Sequence, residues 1–420
     1  MKFRKCFVLL SALMAILLIV PLGAGCMRTT VAAQGWSGIA GSNGQLFYLT
    51  TVAGSGGGGF LGCGSPASNS QLIALSTGDG GVLNTFAIPE STVFYGTPVI
   101  SGDFAYITGY NGRLYRVNTV SGGTAQSTQL NSDKPQAIIG GAVVANGLVF
   151  AASADGRLYA LDATTLAKQW QFSTGDQIWS TPAVSDGTVY IGSFDKNVYA
   201  VDAASGAKKW SYATQGVVVA TPVVSGGVVY VASLDRHVYA LDAASGNLLW
   251  QFPAADDSVS RNWFWATPVL VGGKLYAPNT NGVIYVINAS DGSLVADLDT
   301  HGSIKSSPVI VGSKVVVVTE EGEIYTIDTV TLQFEGQPCR LRDVPASGTS
   351  NSKVKVRASL SVFNGLVYIQ TTDPDRVFEF NPVTGNAGEI GTKQSVVTSP
   401  PPTNTNTVTV TATVTVTTAG

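Results

Sequence analysis

The sequence predicts an all-β fold in which eight four-stranded antiparallel sheets close into a ring, an eight-bladed β-propeller. Three observations predict it. A unit of about 40 residues recurs along the chain, its copies share hairpin-turn dipeptides, and each copy alternates β-branched or aromatic runs with turn residues.

The period is measurable on three residue types independently. Pro182, Pro222, Pro268 and Pro308 are separated by 40, 46 and 40 residues, and Tyr159, Tyr199, Tyr239, Tyr285 and Tyr325 by 40, 40, 46 and 40. Both series stretch at the same place, so one insertion of 6 residues explains them. Trp170, Trp210 and Trp250 repeat at 40.

The clearest copy runs from Ala220 to Trp250 and reads as a meander. Val223 and Val224 precede a two-residue turn, and Val228 to Val231 form an apolar second strand. A turn at Leu234-Asp235-Arg236 leads into a third strand from His237 to Leu241, and Asp242 to Gly246 reverse the chain into a fourth from Asn247 to Phe252. Pro222 is expected at the first residue of the first strand, where a missing N–H does little harm. Asn-Gly, Asp-Gly and Gly-Gly supply the positive φ of tight hairpins.

Those first hairpin turns count the units. They fall at Asn43-Gly44, Gly102-Asp103, Asn146-Gly147, Asp186-Gly187, Gly226-Gly227, Gly272-Gly273, Gly312-Ser313 and Asn364-Gly365. A lone four-stranded sheet cannot bury both faces, so units of this size close into a ring.

The tail of the unit resembles the PQQ-like (quinoprotein-type) propeller repeat. It is written as Ala200, Asp202, Gly206 and Trp210, and again as Ala240, Asp242, Gly246 and Trp250. A weaker copy runs from Ala160 and Asp162 to Trp170 with Leu166 in the glycine place, and copies without tryptophan follow at Ile287-Asn288, Ile327-Asp328 and Phe380-Asn381. The resemblance covers residues 96–390, with a poorer first unit from 35. In such a blade the aspartate bonds the following turn, the glycine is left-handed and the tryptophan packs between blades. Packing is preferred over ligand binding for the three tryptophans on that logic.

The resemblance also invites a quinone cofactor. Quinoprotein dehydrogenases share the blades, but they are longer and commonly carry adjacent cysteines and a calcium site. No two cysteines are adjacent here, and no cofactor residue is carried over. In size and signal the chain is closer to the propeller lipoproteins of the bacterial β-barrel assembly machinery, which implies a lipid-tethered interaction platform.

The N-terminus reads as an export signal: Lys2, Arg4 and Lys5, an apolar run from Cys6 to Leu22, then Gly23-Ala24-Gly25 before Cys26. It resembles a lipoprotein signal in which Cys26 is lipidated, although the favoured leucine, Leu22, stands one place early. Plain cleavage and a retained anchor are the alternatives. The expected organisation is a signal over 1–26, a linker over 27–34, the propeller over 35–392 and a Pro/Thr/Val tail over 393–420. The tail alternates Thr and Val after Pro400-Pro401-Pro402, which suits either an extended spacer or a strand.

Cys63 and Cys339 are the mature pair if Cys26 carries lipid. In a meander, the second-to-third turns and the inter-blade links share one rim, and the units holding these cysteines flank the eighth. A disulfide across that rim and two separate thiols are both open. The excess residues over the basic period, 54–69, 131–138, 253–265 and 337–356, all belong to that rim. Loops on a rigid scaffold carry binding residues, so this rim is the candidate functional face, against the alternative that insertions accumulate where tolerated. Asp256, Asp257, Arg261 and Trp263 are the candidate partner-binding residues, aromatic and arginine side chains being typical hot spots, while Trp265 is assigned to the start of a strand.

Catalysis has little support. His237 and His301 each stand alone and are read as solvated loop residues. Asp373-Pro374-Asp375 and Glu320-Glu321 lack calcium-loop spacing, and the glycines of 54–59 have no lysine of a phosphate loop. Net charge is −3, which argues against nucleic acid. The leading reading is an exported, lipid-anchored, non-catalytic scaffold without a cofactor. It serves envelope protein partners, as a monomer or within a hetero-complex. The alternative is an exported quinone-dependent dehydrogenase.

Overall fold

A computed structural model of the chain describes residues 37–53, 68–90, 92–131, 135–254, 262–341, 354–372 and 375–390. They form eight antiparallel sheets, each a meander of strands adjacent in sequence. The blades are numbered 1 to 8 in chain order and span residues 40–88, 99–129, 143–173, 183–213, 223–252, 269–299, 309–340 and 361–390. The strands of each are called inner, second, third and outer. In blade 7 the outer strand is split, Gln333–Phe334 and Cys339–Arg340 pairing with different halves of the third strand.

Each of the eight turn dipeptides joins an inner to a second strand. Six carry positive φ at both residues, for example Gly226 (57°) and Gly227 (77°), whereas Gly102 and Gly312 are positive at the first residue only. The two classes are the primed turns whose twist matches a hairpin. The prolines stand one residue outside the strand: Pro222 precedes an inner strand of Val223–Ser225, because a residue without N–H cannot open the ladder. Five outer strands carry a β-bulge near their start, as at Leu249 opposite Ala240 and Leu241 of the third strand, which blunts an exposed edge.

Each of the eight hydrophobic clusters is shared by two neighbouring blades. Ile39, Leu46 and Leu75 of blade 1 pack with Tyr368 and Val377 of blade 8, and this cluster closes the ring. Gln370 Nε2 donates to Leu49 O at 3.0 Å and Ser361 Oγ donates to Ile39 O across the same seam. Every blade is a contiguous stretch of chain, and no described strand is lent from one blade to another. Near the axis the links are stitched by hydroxyls: Gly141 N donates to Thr181 Oγ1 at 2.8 Å, Thr221 N to Thr267 Oγ1 at 3.0 Å and Thr267 N to Ser307 Oγ at 3.1 Å.

The tryptophans lie across the seams. Trp170, Trp210 and Trp250 donate from Nε1 to the carbonyls of Ala203, Ala243 and Ala289 in the following blade at 3.1, 2.9 and 3.0 Å. Each ring lies over the turn glycine of that blade, so a Cβ at Gly206, Gly246 or Gly292 would come within 2.6–2.8 Å of it. On the other side Tyr190 stacks on Trp210 with centroids 5.8 Å apart, and its hydroxyl shares the Ala243 carbonyl at 3.2 Å. The turn itself is held by Asp202 or Asp242; Asp202 Oδ1 accepts from the N–H groups of Ala204 and Ser205 at 3.2 and 2.9 Å. Those bonds lower the carboxyl pKa, the Ser205 backbone N–H contributing most. Ala200 and Ala240 are fully buried, each opposite its blade's own tryptophan.

Leu166 shows when the glycine is dispensable. It keeps a φ of 59° and buries its side chain, as does Leu332 with 57° in part. Neither preceding blade has a tryptophan in its outer strand, so no ring occupies the space above.

Candidate functional site

The loop-bearing rim is built from two repeated pieces, the turn between second and third strands and the link to the next blade. Backbone bonds tie them together: Phe194 N donates to Gln177 O, Thr280 N to Trp263 O and Glu320 N to Ser303 O, at 2.7–3.0 Å. The described ends of the long segments lie on this rim, since Ile138 N donates to Gly109 O and Val356 N to Glu320 O. Most of the insertions themselves fall outside the described residues, as do Cys26, Cys63, Asp256, Asp257 and Arg261.

In each link one apolar side chain is driven inward and the next faces the rim. Ile138, Ile178, Val218, Phe264, Ile304 and Val356 are all fully buried. The residues after them are Ile139, Trp179, Val219, Trp265, Lys305 and Arg357, with Tyr95 in the equivalent place in blade 2. Trp179 stacks on Phe194 with centroids 4.5 Å apart, and Tyr95 on Tyr110 at 5.5 Å. At this link position the rim is therefore aromatic or aliphatic in blades 2 to 6 and charged in blades 7 and 8.

Trp263 is 42% exposed on this rim. Trp265 does not begin a strand: the inner strand of blade 6 starts at Val269, and Trp265 lies half-buried in the extended link. Phe264 between them is the core residue, fully buried against Tyr285 at a centroid distance of 5.8 Å. The alternation of an extended link explains why neighbours face opposite ways.

The charged sector centres on Glu320. Its carboxylate, almost wholly buried, accepts from Lys305 Nζ at 2.8 Å and from Arg357 Nε at 2.8 Å. Burial alone would raise its pKa, but the two cations outweigh burial and hold the carboxyl below its ordinary value. A carboxylate depressed on folding contributes stability above its unfolded pKa of about 4.3, lost as pH falls through the folded value. Glu320→Gln is expected to cost on the order of 1 kcal/mol at neutral pH, because both cations remain partly solvated. In acid titrations followed by circular dichroism, the gap from wild type is expected to close below pH 4 or so as Glu320 protonates.

One rim device escaped the sequence reading. Asp155, Asp195 and Asp235 accept from the hydroxyls of Tyr159, Tyr199 and Tyr239 in the same blade at 2.5, 2.7 and 2.9 Å. Asp195 and Asp235 also accept from link N–H groups, Gly175 N at 2.6 Å and Gln215 N at 2.9 Å. Burial, then the carboxylate, pushes Tyr159 up to about 12. The signal was present as Asp-x-x-x-Tyr in three repeats, written beside the longer tryptophan motif.

His237 is not a solvated loop residue. It is 4% exposed, with Nδ1 3.1 Å from Asp235 O and its ring beside Tyr239. It stands immediately before the third strand, which starts at Val238, and its side chain is buried, a burial that a turn-adjacent position in sequence does not reveal. His301 does lie in the open, 3.1 Å from Asp299. Cys339 sits half-buried against the cluster shared by blades 7 and 8. Among the described residues, no group of three or more His, Cys, Asp or Glu is placed to hold a metal ion. A groove of about 770 Å³ opens on the other rim between blades 5 and 6, floored by Tyr230, Leu249, Trp250 and Val295, and so belongs to a packing seam rather than to the loops.

A ring of eight such blades, with tryptophans sewing three of its seams, defines a PQQ-like repeat propeller. The chain belongs to the family described as outer membrane protein assembly factor BamB, whose sequence profile matches residues 68–180 and 167–388. Among solved structures it is similar to BamB from Moraxella catarrhalis, with TM-score 0.60 and 19% identity, over 84% of this chain and 96% of that one. It is also similar to the computationally designed protein Ika8, with TM-score 0.64 and 15% identity, over 83% and 96%. Both likenesses concern the fold. No curated protein matches the chain by sequence.

Proposed function

We propose that this chain is an exported, lipid-anchored, non-catalytic scaffold of the cell envelope whose loop-bearing rim docks a protein partner. The reading is supported by the described ends of the long segments, which lie on one rim, in a chain whose family is described by an assembly factor. Scaffolds present binding residues on such loops, and a half-exposed Trp263 on a rigid link is the kind of anchor that dominates interfaces. Lipidation at Cys26 would hold the platform at a membrane, and a Cys63–Cys339 disulfide would pin two of the long segments together.

A photocrosslinking residue at position 263, in native membranes, tests the docking rim. Envelope proteins are expected to be captured from position 263 and not from position 164 on the opposite rim, and capture is expected to fall when Arg261 is reversed to Glu. Equal capture from both positions would sink the reading. The dehydrogenase alternative predicts a saturable spectral change with added quinone and calcium, together with dye-linked alcohol oxidation.

A further inference from the structure

Outer strands are the free edges of the propeller, and seven of the eight are guarded. Those of blades 1 and 3 to 6 carry the bulge described above, that of blade 7 is split, and that of blade 2 is only Gln126–Gln129, polar throughout. Blade 8 differs. Its outer strand, Asn386–Ile390, pairs with the third strand in unbroken register, from Asn386 opposite Asn381 to Ile390 opposite Val377. Among the described residues no strand pairs with its outer side.

A regular edge turns alternate N–H and C=O groups outward and so templates a further strand. Asn386–Ile390 holds neither the lysine nor the proline that would discourage one, whereas blades 3 and 4 carry Lys168, Lys208 and Lys209 in their outer strands. The two faces of this edge differ. Ile390 packs against the cluster shared with blade 1, and on the same face a Cβ at Gly388 would meet nothing within 4 Å. On the other face stands Glu389, whose Oε2 accepts from Arg376 Nη1 at 2.9 Å. Its Oε1 is buried without a donor among the described residues, a deficit that buried oxygens seldom carry.

We propose that a stretch of this chain's own tail, within residues 407–418, pairs with that edge as a fifth strand of blade 8, antiparallel to Asn386–Ile390. The segment lies outside the described residues, and its sequence alternates Thr with Val408, Val410, Ala412, Val414 and Val416. A strand of that period presents valines on one face and threonines on the other. The register that sets valines beside Ile390 and Gly388 sets threonine hydroxyls beside Glu389, where they supply the missing donor. The described chain leaves blade 8 at Ile390, and the 16 residues 391–406 span at most about 55 Å, ample for doubling back. So tethered, the segment meets the edge at an effective concentration on the order of millimolar, which favours it over a second copy or a separate chain. The contact is independent of the membrane anchor and of the docking rim.

Hydrogen exchange read by mass spectrometry on the full chain tests the pairing. The comparisons are a chain ending at Asn406 and the double variant Val410→Pro, Val414→Pro, which keeps the tail but cannot extend a ladder. In the full chain the amides of 407–418 are expected to exchange at least about tenfold more slowly than an unstructured chain. Those of 386–390 are expected to exchange at least about tenfold faster in both altered chains, with blades 3 to 6 unchanged. Exchange of 407–418 at the unstructured rate would overturn the proposal. Protection of 407–418 with no change at 386–390 in the altered chains would overturn it too, placing the tail elsewhere. Protection that fades on dilution would do the same, showing that a second copy covers the edge.

Discussion

Trp210→Ala is expected to cost about 3–5 kcal/mol, the range for large aromatic truncations in cores. The ring is 8% exposed, stacks on Tyr190, covers Gly246 and donates to Ala243 O across the seam. Its removal opens a void between blades 4 and 5 that two sheets must collapse to fill. The shift is measured as a lowered guanidinium midpoint, with Trp179→Ala as a rim control that keeps the seam intact. An unchanged midpoint would show that the seam does not depend on the ring.

Gly246→Ala is expected to cost about 2–5 kcal/mol from two separable sources. A φ of 76° is strained for any residue with a Cβ, by about 1–2 kcal/mol. The new Cβ would also lie 2.6 Å from the base of the Trp210 ring, and relieving such overlap costs about 1–3 kcal/mol. Gly385 separates the two, because its φ is 73° and nothing lies within 4 Å of its Cβ position. Gly385→Ala is expected to show the backbone component alone. Equal losses in both variants, measured by thermal unfolding, would remove the packing component.

The architecture was legible because it depends on local chemistry. Turn dipeptides with positive φ and β-branched runs lie within a few residues of one another, so all eight inner hairpins were readable at their positions. The pairing of Trp210 with Gly246 was not, although both belong to the quoted motif. Within one repeat the glycine precedes the tryptophan, whereas in space each tryptophan meets the glycine of the next repeat. Leu166 looked like a lapse in the motif and is instead explained by the missing ring in blade 2. His237 and Phe264 were hidden for a related reason: burial on a propeller depends on which face of a link or turn meets the neighbouring blade. Of the candidate rim residues only Trp263 can be placed, since Asp256, Asp257 and Arg261 lie outside the described residues.

Because every blade is one continuous segment and the last meets the first through side-chain packing and side-chain hydrogen bonds rather than a shared strand, closing the ring does not require the chain to open between blades 8 and 1. Joining the ends and reopening the polypeptide at another link would leave all eight seams intact. Circular permutants should therefore assemble the same toroid, with any of the eight blades placed first in the chain.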